Sequence, residues 1–265
     1  MAGPTFDGGE LYRGLAAAHW DALDFTKPGR DFECFRRGVL EGNGPALEIG
    51  CGTGRILLPL LVEGLAVEGI DISEDMLACC RRRAACLGVS PTLYRQPMQR
   101  LSLDIRYDTL YVPCGTFVLV VDKGDALETL RRFRNCLRPR GSVLFNLLPP
   151  FDCPRVSLSD DPPWETHDDQ HLNDSNGEGI VVHRRVISVD PVARLLTEQR
   201  RYRIYREGCV VKEEIRAGRE TWYAPTEIRH MLSEAGFGRI HITGDYTGEA
   251  FSNSHHQVIV VQAWA

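Results

Sequence analysis

The chain has 265 residues, of which 43% are hydrophobic, and a formal net charge of −5. This hydrophobic content is enough to bury a core, whereas 25 Gly and 15 Pro are too few for a collagen-like or Gly/Pro-rich disordered chain. The excess of acidic over basic residues argues against binding to nucleic acid or to an anionic membrane surface, because either kind of binding needs clustered positive charges. No apolar stretch approaches the ~20 residues of a membrane span, and no secretory signal is recognisable. We therefore expect a cytoplasmic globular protein that acts on a small molecule.

The nine Cys residues include no CxxC pair, and no His lies at zinc-finger spacing from them. An odd number of scattered Cys gives no disulfide framework, and most of them lie within apolar or helical patterns. We therefore expect small buried hydrophobic side chains and no bound metal.

The first half of the chain alternates short apolar runs with longer amphipathic ones. Four apolar runs bounded by Gly, Asp or Pro have the pattern of buried parallel strands: residues 46–50, 65–72, 108–113 and 142–148. Three amphipathic runs between them are predicted to be helices: residues 55–63, 74–87 and 123–137. Ser73 is the predicted N-cap of the second helix, and Pro139 and Gly141 are stop signals after the third. This alternation predicts parallel βαβ units with right-handed crossovers.

The composition changes after residue 150. Residues 151–179 are acidic, rich in Pro, Asp, Asn and Gly, and without periodicity, which predicts a long loop. Three runs of alternating apolar and polar residues follow and are predicted to be antiparallel strands: residues 180–190, 193–207 and 210–223.

The α/β pattern resumes near the C-terminus. A helix is predicted over 224–237, with Thr226 as its cap and Gly236 as its stop, and two strands are predicted over 239–246 and 257–264. We therefore predict one α/β domain interrupted by an inserted β subdomain, with these boundaries: 1–150 and 223–265 for the domain, and 151–222 for the insertion.

The most informative segment is Ala46-Leu-Glu-Ile-Gly-Cys-Gly-Thr-Gly-Arg55, in which a strand runs directly into Gly50, Gly52 and Gly54 and then into a helix. Such a turn lets backbone N–H groups approach a ligand at a helix N-terminus. A dinucleotide fingerprint would read G-x-G-x-x-G and a phosphate loop would end in G-K-[ST], and this segment has neither pattern. Asp71 ends the second predicted strand, where its carboxylate can accept hydrogen bonds from a ribose diol.

Glu-Ile-Gly-Cys-Gly-Thr-Gly at 48–54, followed by Gly-Ile-Asp-Ile-Ser-x-x-Met-Leu at 69–77, resembles the class I S-adenosylmethionine-dependent methyltransferases. The resemblance implies an α/β fold with a Rossmann-like, seven-stranded, mostly parallel sheet, helices on both faces and an antiparallel β lid inserted after the fifth strand. It also implies S-adenosylmethionine as the cofactor and S-adenosylhomocysteine as the product. The lid and the closing segment are similar to those of glycine, sarcosine and amino-sugar N-methyltransferases.

The resemblance implies a set of cofactor-binding residues: Trp20, Glu48, Gly50, Cys51, Gly52, Gly54, Arg55, Asp71, Ile72, Met76, Gln96, Met98, Pro113 and Cys114. It places the amino-acid part of the cofactor against the glycine turn, the ribose hydroxyls on Asp71, and Ile72 and Met76 beside the adenine. Glu48 is expected to support the turn through backbone N–H groups. Arg55 either pairs with the cofactor carboxylate or faces solvent.

Two of these assignments are less direct. The family often has an Asp just after the third strand, and this chain has Gln96 there, so Gln96 or the backbone of Met98 is expected to bind adenine N6. Pro113 and Cys114 lie at the end of the predicted strand over 108–113 and resemble the segment whose backbone approaches the cofactor ammonium.

Methyl transfer from a sulfonium is an in-line displacement, so the protein mainly aligns the acceptor and excludes water. An amine acceptor needs only to be bound neutral, whereas a hydroxyl gains about 10²–10⁴-fold from a general base. The candidate catalytic groups are Tyr12, His255 and His256, of which the two His begin the last predicted strand. Tyr12 and Trp20 lie in a segment similar to the helix that covers the cofactor in small-molecule members, or else are core aromatics.

Three functional hypotheses stay open. They are an N- or O-methyltransferase of small molecules, a cofactor-binding protein without transfer activity, and a methyltransferase of protein or RNA. Residues 113–116 lack the Asn/Asp-Pro-Pro-Tyr type of motif that favours nucleobase or glutamine chemistry. The first hypothesis is therefore preferred, as a monomer or a homodimer, since lid strands either cover the site or pair between subunits.

Overall fold

Strands from both sides of the predicted insertion build the main sheet. The computed structural model describes residues 11–23, 29–148, 161–168 and 179–265. Its strands, in chain order, are β1 (Ala46–Ile49), β2 (Val67–Asp71), β3 (Leu93–Arg95), β4 (Tyr107–Val112), β5 (Leu137–Leu147), β6 (Glu165–Asp168), β7 (Gly179–Asp190), β8 (Leu195–Arg206), β9 (Cys209–Thr221), β10 (Ile240–Gly244) and β11 (Ile259–Trp264).

Seven strands form the main sheet, in the order β10-β11-β5-β4-β1-β2-β3. Strands β1 to β5 are parallel, and β11 is antiparallel to both of its neighbours. The predicted Rossmann-like, mostly parallel sheet is therefore confirmed. The order reverses between β1 and β4, which is the switch point where open α/β sheets bind ligands at the carboxyl ends of their strands.

The helices of the described residues are α1 (Leu15–Ala22), α2 (Arg30–Gly42), α3 (Leu57–Val62), α4 (Glu74–Leu87), α5 (Lys123–Cys136) and α6 (Pro225–Glu234). Short 3₁₀ turns cover Met98–Arg100 and Thr116–Leu119. α4 has the predicted bounds, and the Ser73 hydroxyl caps it by accepting a hydrogen bond from the Met76 N–H at 3.3 Å.

The cap predicted for the helix near the C-terminus is wrong. The N-cap of α6 is Ala224 rather than Thr226, because Pro225 occupies the first helical position, where its missing N–H costs nothing. The Glu227 carboxylate reaches back and accepts a hydrogen bond from the Ala224 N–H at 3.3 Å.

Apolar side chains pack on both faces of the main sheet. On one face Phe145 of β5 packs with Phe133 of α5 and Ile228 of α6. On the other face Leu144, the preceding residue of β5, packs with Phe35 of α2. The alternation of neighbouring strand residues between the two clusters follows the period of two of a β-strand. Helices therefore cover both faces, as predicted.

A second, antiparallel sheet has the order β6-β7-β8-β9 and lies in the chain between β5 and α6. The three strands predicted here and the insertion after the fifth strand are confirmed. The prediction of a loop over 151–179 is wrong at β6, a four-residue strand that pairs with β7 and has no apolar alternation to reveal it. Most of the other residues of that predicted loop lie outside the described residues.

Within the described ranges, no helix is long and apolar enough to cross a membrane. Nor do His, Cys, Asp and Glu side chains of the described part of the chain form a group of three or more that could hold a metal ion.

Candidate functional site

The glycine turn connects β1 to α3 at the carboxyl edge of the sheet. Gly50, Gly52 and Gly54 have φ values of 71°, 53° and 88°, a region that side chains other than Gly rarely adopt. The Gly52 N–H points to the next strand and donates a hydrogen bond to Asp71 Oδ2 at 2.9 Å. A hydrogen bond from the backbone to a carboxylate therefore joins the turn to the end of β2.

Asp71 is the last residue of β2 and is 8% exposed. Its Oδ1 accepts a hydrogen bond from the Ser73 N–H at 2.8 Å, while its Oδ2 accepts the bond from Gly52. Burial raises the pKa of Asp71 above its ordinary value, and these N–H groups oppose that rise. The backbone thus fixes the orientation of both oxygens, and each keeps a lone pair that can accept a further hydrogen bond.

Two adjoining cavities open around Asp71. The smaller, of about 80 Å³, is lined by Tyr12, Trp20, Glu48, Gly50, Cys51, Gly52, Thr53, Arg55, Ile56, Asp71, Met76, Pro113, Cys114 and Thr116. The larger, of about 610 Å³, reaches Ile72, Gln96, Met98 and the residues after the Thr116–Leu119 turn. Both cavities include Tyr12, Gly50, Asp71 and Thr116.

The cavities bring together all but one of the residues implied by the resemblance. The exception is Gly54, which lines neither cavity and packs against Leu58 and Cys80. Met76 lines the smaller cavity, close to Gly52, whereas Ile72 lines the larger one.

Arg55 does not face solvent, since 19% of its side chain is exposed. Its guanidinium pairs with Asp31 of α2, with Nη1 donating to Oδ1 at 3.0 Å, and also donates to Cys114 Sγ at 3.0 Å. Asp31 and the helix that carries it are not among the features predicted from the sequence. The acidic first turn and the buried Phe32 and Phe35 of α2 are the signals that could have revealed this helix.

The Gln96 side chain is already used by the protein. Its Nε2 donates to the Ser102 carbonyl at 3.2 Å, and its Oε1 accepts from the Ser102 N–H at 3.1 Å. Both ends of the amide therefore close the loop after β3, which leaves the backbone near Met98 as the better candidate for contact with an adenine.

The two candidate His residues do not begin the last strand, and neither lines either cavity. β11 starts later, at Ile259, because Asp245 Oδ1 accepts the N–H groups of both Gln257 and Val258 and holds them in the preceding loop. His256 packs over Gly244, and its Nδ1 accepts a hydrogen bond from the Ser252 N–H at 3.0 Å. Tyr12, the third candidate, lines both cavities.

Glu48 of β1 is 2% exposed, and its Oε2 has no hydrogen-bond partner among the described residues. Burial raises the pKa of Glu48 to about 8, although the nearby Arg55 charge opposes the rise. This carboxyl lines the smaller cavity.

The buried Glu48 predicts a pH effect on the ligand-free protein. Between the ordinary pKa of 4.5 and the folded value of about 8, the folded state holds more protons than the unfolded state. The free energy of unfolding is therefore expected to fall as the pH rises through this range, and Glu48→Gln should remove that contribution. Urea denaturation of both proteins across the range measures it. If the free energy of unfolding changed equally with pH in the two proteins, the raised pKa of Glu48 would be contradicted.

Known proteins resemble this chain in sequence and in fold. Residues 46–141 match the model of a methyltransferase domain. A predicted methyltransferase of Geobacillus sp. (strain WCH70) is 25% identical over 217 residues, which cover 81% of this chain and 82% of that protein.

Two solved structures have the same fold. The CcbJ methyltransferase of Streptomyces caelestis superposes with a TM-score of 0.75 at 22% identity, covering 98% of this chain and 99% of that one. The sugar N-methyltransferase KedS8 of Streptoalloteichus sp. ATCC 53650 has a TM-score of 0.67 at 17% identity, covering 98% and 97%. This chain therefore carries a methyltransferase domain at residues 46–141 and has the fold of the class I S-adenosylmethionine-dependent methyltransferases.

Proposed function

We propose that this chain transfers the methyl group of S-adenosylmethionine to the nitrogen of a small-molecule amine. The observation that carries the proposal is the pair of cavities that meet at Asp71 and the glycine turn. The cofactor has a ribose diol, an ammonium and a carboxylate, and the cavities offer one matching side chain for each. The adenosine would occupy the larger cavity and the amino-acid part the smaller.

Asp71 would accept hydrogen bonds from the ribose hydroxyls through the lone pairs that its backbone partners leave open. Glu48, with an unpartnered buried oxygen, would face the ammonium, whose positive charge favours the ionised carboxylate. Arg55, held by Asp31, would face the carboxylate. The bound cofactor supplies an electrophilic methyl group on a sulfonium.

The chain's own contribution to transfer is orientation and exclusion of water. Tyr12 lines both cavities, and Trp20 lines the smaller one together with Pro113 and Cys114 at the end of β4. Cys114 has a φ of 57°, and its sulfur accepts a hydrogen bond from Arg55. It therefore forms a fixed part of the cavity wall. An acceptor held against this wall would have its lone pair aligned with the methyl group, which lowers the barrier through proximity.

An amine acceptor is favoured over a hydroxyl because no His lines either cavity within the described ranges. A hydroxyl acceptor needs a general base of suitable pKa, whereas an amine needs only to lose its proton on binding. KedS8, a structural neighbour, is a sugar N-methyltransferase, which supports an amine on a small molecule as the acceptor class.

We also propose that residues 151–222 form a subdomain that covers the acceptor, inserted into a cofactor-binding domain of residues 1–150 and 223–265. Arg219 of β9 lines the larger cavity, so the second sheet borders the site. A cytoplasmic location and a monomeric or homodimeric state stay predictions from the sequence.

Pairs of acceptors that differ only in N or O test the proposed function. The purified chain is given S-adenosylmethionine with amino sugars, amino acids and their hydroxyl counterparts, and S-adenosylhomocysteine formation is measured. We expect turnover with at least one amine, about 10²-fold above its hydroxyl counterpart, because no His of the described residues lines either cavity to act as a general base for the hydroxyl. Turnover of hydroxyl compounds without the amines would contradict the proposal.

A further inference from the structure

Helix α1 begins without a capping side chain of its own. Its N-cap is Gly14, and no local side chain bonds its first N–H groups. Instead, the Gly14 N–H donates to Asp75 Oδ2 at 2.8 Å, and the Leu15 N–H donates to Glu214 Oε2 at 3.1 Å. Asp75 belongs to α4 of the main domain and Glu214 to β9 of the second sheet. Two carboxylates that are distant in sequence therefore hold the start of this helix, one from the main domain and one from the second sheet.

Residues 11–22, which we call the strap, border the candidate cofactor site. The Ser73 hydroxyl donates a hydrogen bond to the Tyr12 carbonyl at 2.6 Å, and the Tyr12 side chain lines both cavities. Trp20, further along α1, lines the smaller cavity. The position of the strap therefore determines where two aromatic side chains of the site lie.

The strap packs closely on Glu214. Gly14 has a φ of 57°, and a Cβ added to it would lie 2.5 Å from Glu214 Oε2. Lys212 and Arg216 hold the same carboxylate from β9, at 3.0 Å and 2.7 Å. This carboxylate is therefore pre-oriented by its own strand before it meets the helix.

We propose that Glu214 and Asp75 are positioning residues that hold the strap closed over bound S-adenosylmethionine and so couple the second sheet to cofactor retention. This inference rests on the proposed function for the place of the cofactor. Ionised carboxylates at a helix N-terminus are stabilising because they satisfy free N–H groups and oppose the positive end of the helix dipole. Loss of either one would let the strap, with Tyr12 and Trp20, lift from the cavities.

The neighbouring Glu213 provides a matched control. It is also a Glu of β9, but it faces the other side of the sheet, where it pairs with Arg203 at 2.6 Å. Each variant removes one carboxylate from the same strand, Glu213→Ala together with one ion pair and Glu214→Ala together with the two to Lys212 and Arg216. Glu214→Ala alone removes the contact with α1.

The test measures S-adenosylhomocysteine binding and release by calorimetry and stopped flow for the wild type, Glu214→Ala and Glu213→Ala, with unliganded Tm values for each. We expect Glu214→Ala to raise the dissociation constant about 5-fold, the factor for loss of a typical helix cap, mainly through faster release. Glu213→Ala should change it less than about 2-fold, as for an exposed ion pair. With an acceptor present, KM for the cofactor should rise while kcat stays close to the wild-type value.

A second variant keeps the inference testable if Glu214→Ala folds poorly. Gly14→Ala places a methyl group against Glu214 and should reproduce the faster release, and its effect should be smaller in the Glu214→Ala background, where the clash is gone. Equal release rates for Glu214→Ala and Glu213→Ala, both folded, would overturn the inference while leaving the proposed function intact. Failure of the wild type to bind S-adenosylhomocysteine would overturn both.

Discussion

Asp71→Ala is expected to abolish the stabilisation that S-adenosylhomocysteine gives to the wild type. A ligand present at 100 times its dissociation constant stabilises the folded state by about 2.7 kcal/mol. For a chain of this length that corresponds to a Tm rise of roughly 5–11 °C. The variant should show almost none of this rise, because it loses the carboxylate proposed to hold the ribose diol.

The comparison must use the ligand-induced shift and not the absolute Tm. Asp71 also accepts hydrogen bonds from Gly52 and Ser73, so its removal lowers the stability of the unliganded protein as well. Asp104→Ala is a suitable control, since Asp104 is exposed and lines neither cavity. A full ligand-induced shift in Asp71→Ala, or an equal shift of the wild type with NAD, would contradict the assigned role.

Gly54→Ala is expected to have the largest effect on stability among single methyl additions in the glycine turn. The residue has a φ of 88°, and its new Cβ would lie 2.6 Å from Leu58 Cγ and 2.8 Å from Cys80 Sγ. Backbone bonds from Gly54 to Cys51 and from Leu58 to Gly54 prevent a simple shift of the chain. Backbone strain and overpacking together predict a loss of about 2–5 kcal/mol.

Gly64→Ala separates the two causes of that loss. Gly64 has a similar φ of 82°, but no atom lies within 4 Å of the position that a Cβ would take. Its substitution should therefore cost only the backbone term, about 1–2 kcal/mol. Urea denaturation of both variants measures the difference. Equal losses would show that packing of Gly54 against α3 and α4 does not matter.

The glycine turn and Asp71 were predictable because their signals are local. A strand, three spaced Gly residues and an acidic residue at the end of the next strand are contiguous features of the sequence, and the sheet order brings their carboxyl ends together. The bounds of α4 were predictable for the same reason, since Ser73 supplies its cap within three residues. The antiparallel strands β7, β8 and β9 show apolar and polar alternation, and all three were found.

Other features depend on contacts that no local pattern contains. Arg55 is paired with Asp31, 24 residues away, so its environment could not be inferred from the residues next to it in the sequence. Gln96 is engaged by Ser102 across a loop, and the hydrogen bonds that Asp245 accepts delay the start of β11. The contacts of these side chains depend on long-range packing and on competition for hydrogen bonds. Neither can be recognised in a local sequence pattern.

A crystal structure of the protein with S-adenosylhomocysteine tests the central claim most directly. We predict that the ribose hydroxyls lie within hydrogen-bond distance of Asp71, with the adenosine in the larger cavity. The amino-acid end should lie in the smaller cavity, between Glu48 and Arg55. A ligand bound elsewhere, or one whose ribose does not contact Asp71, would contradict the account.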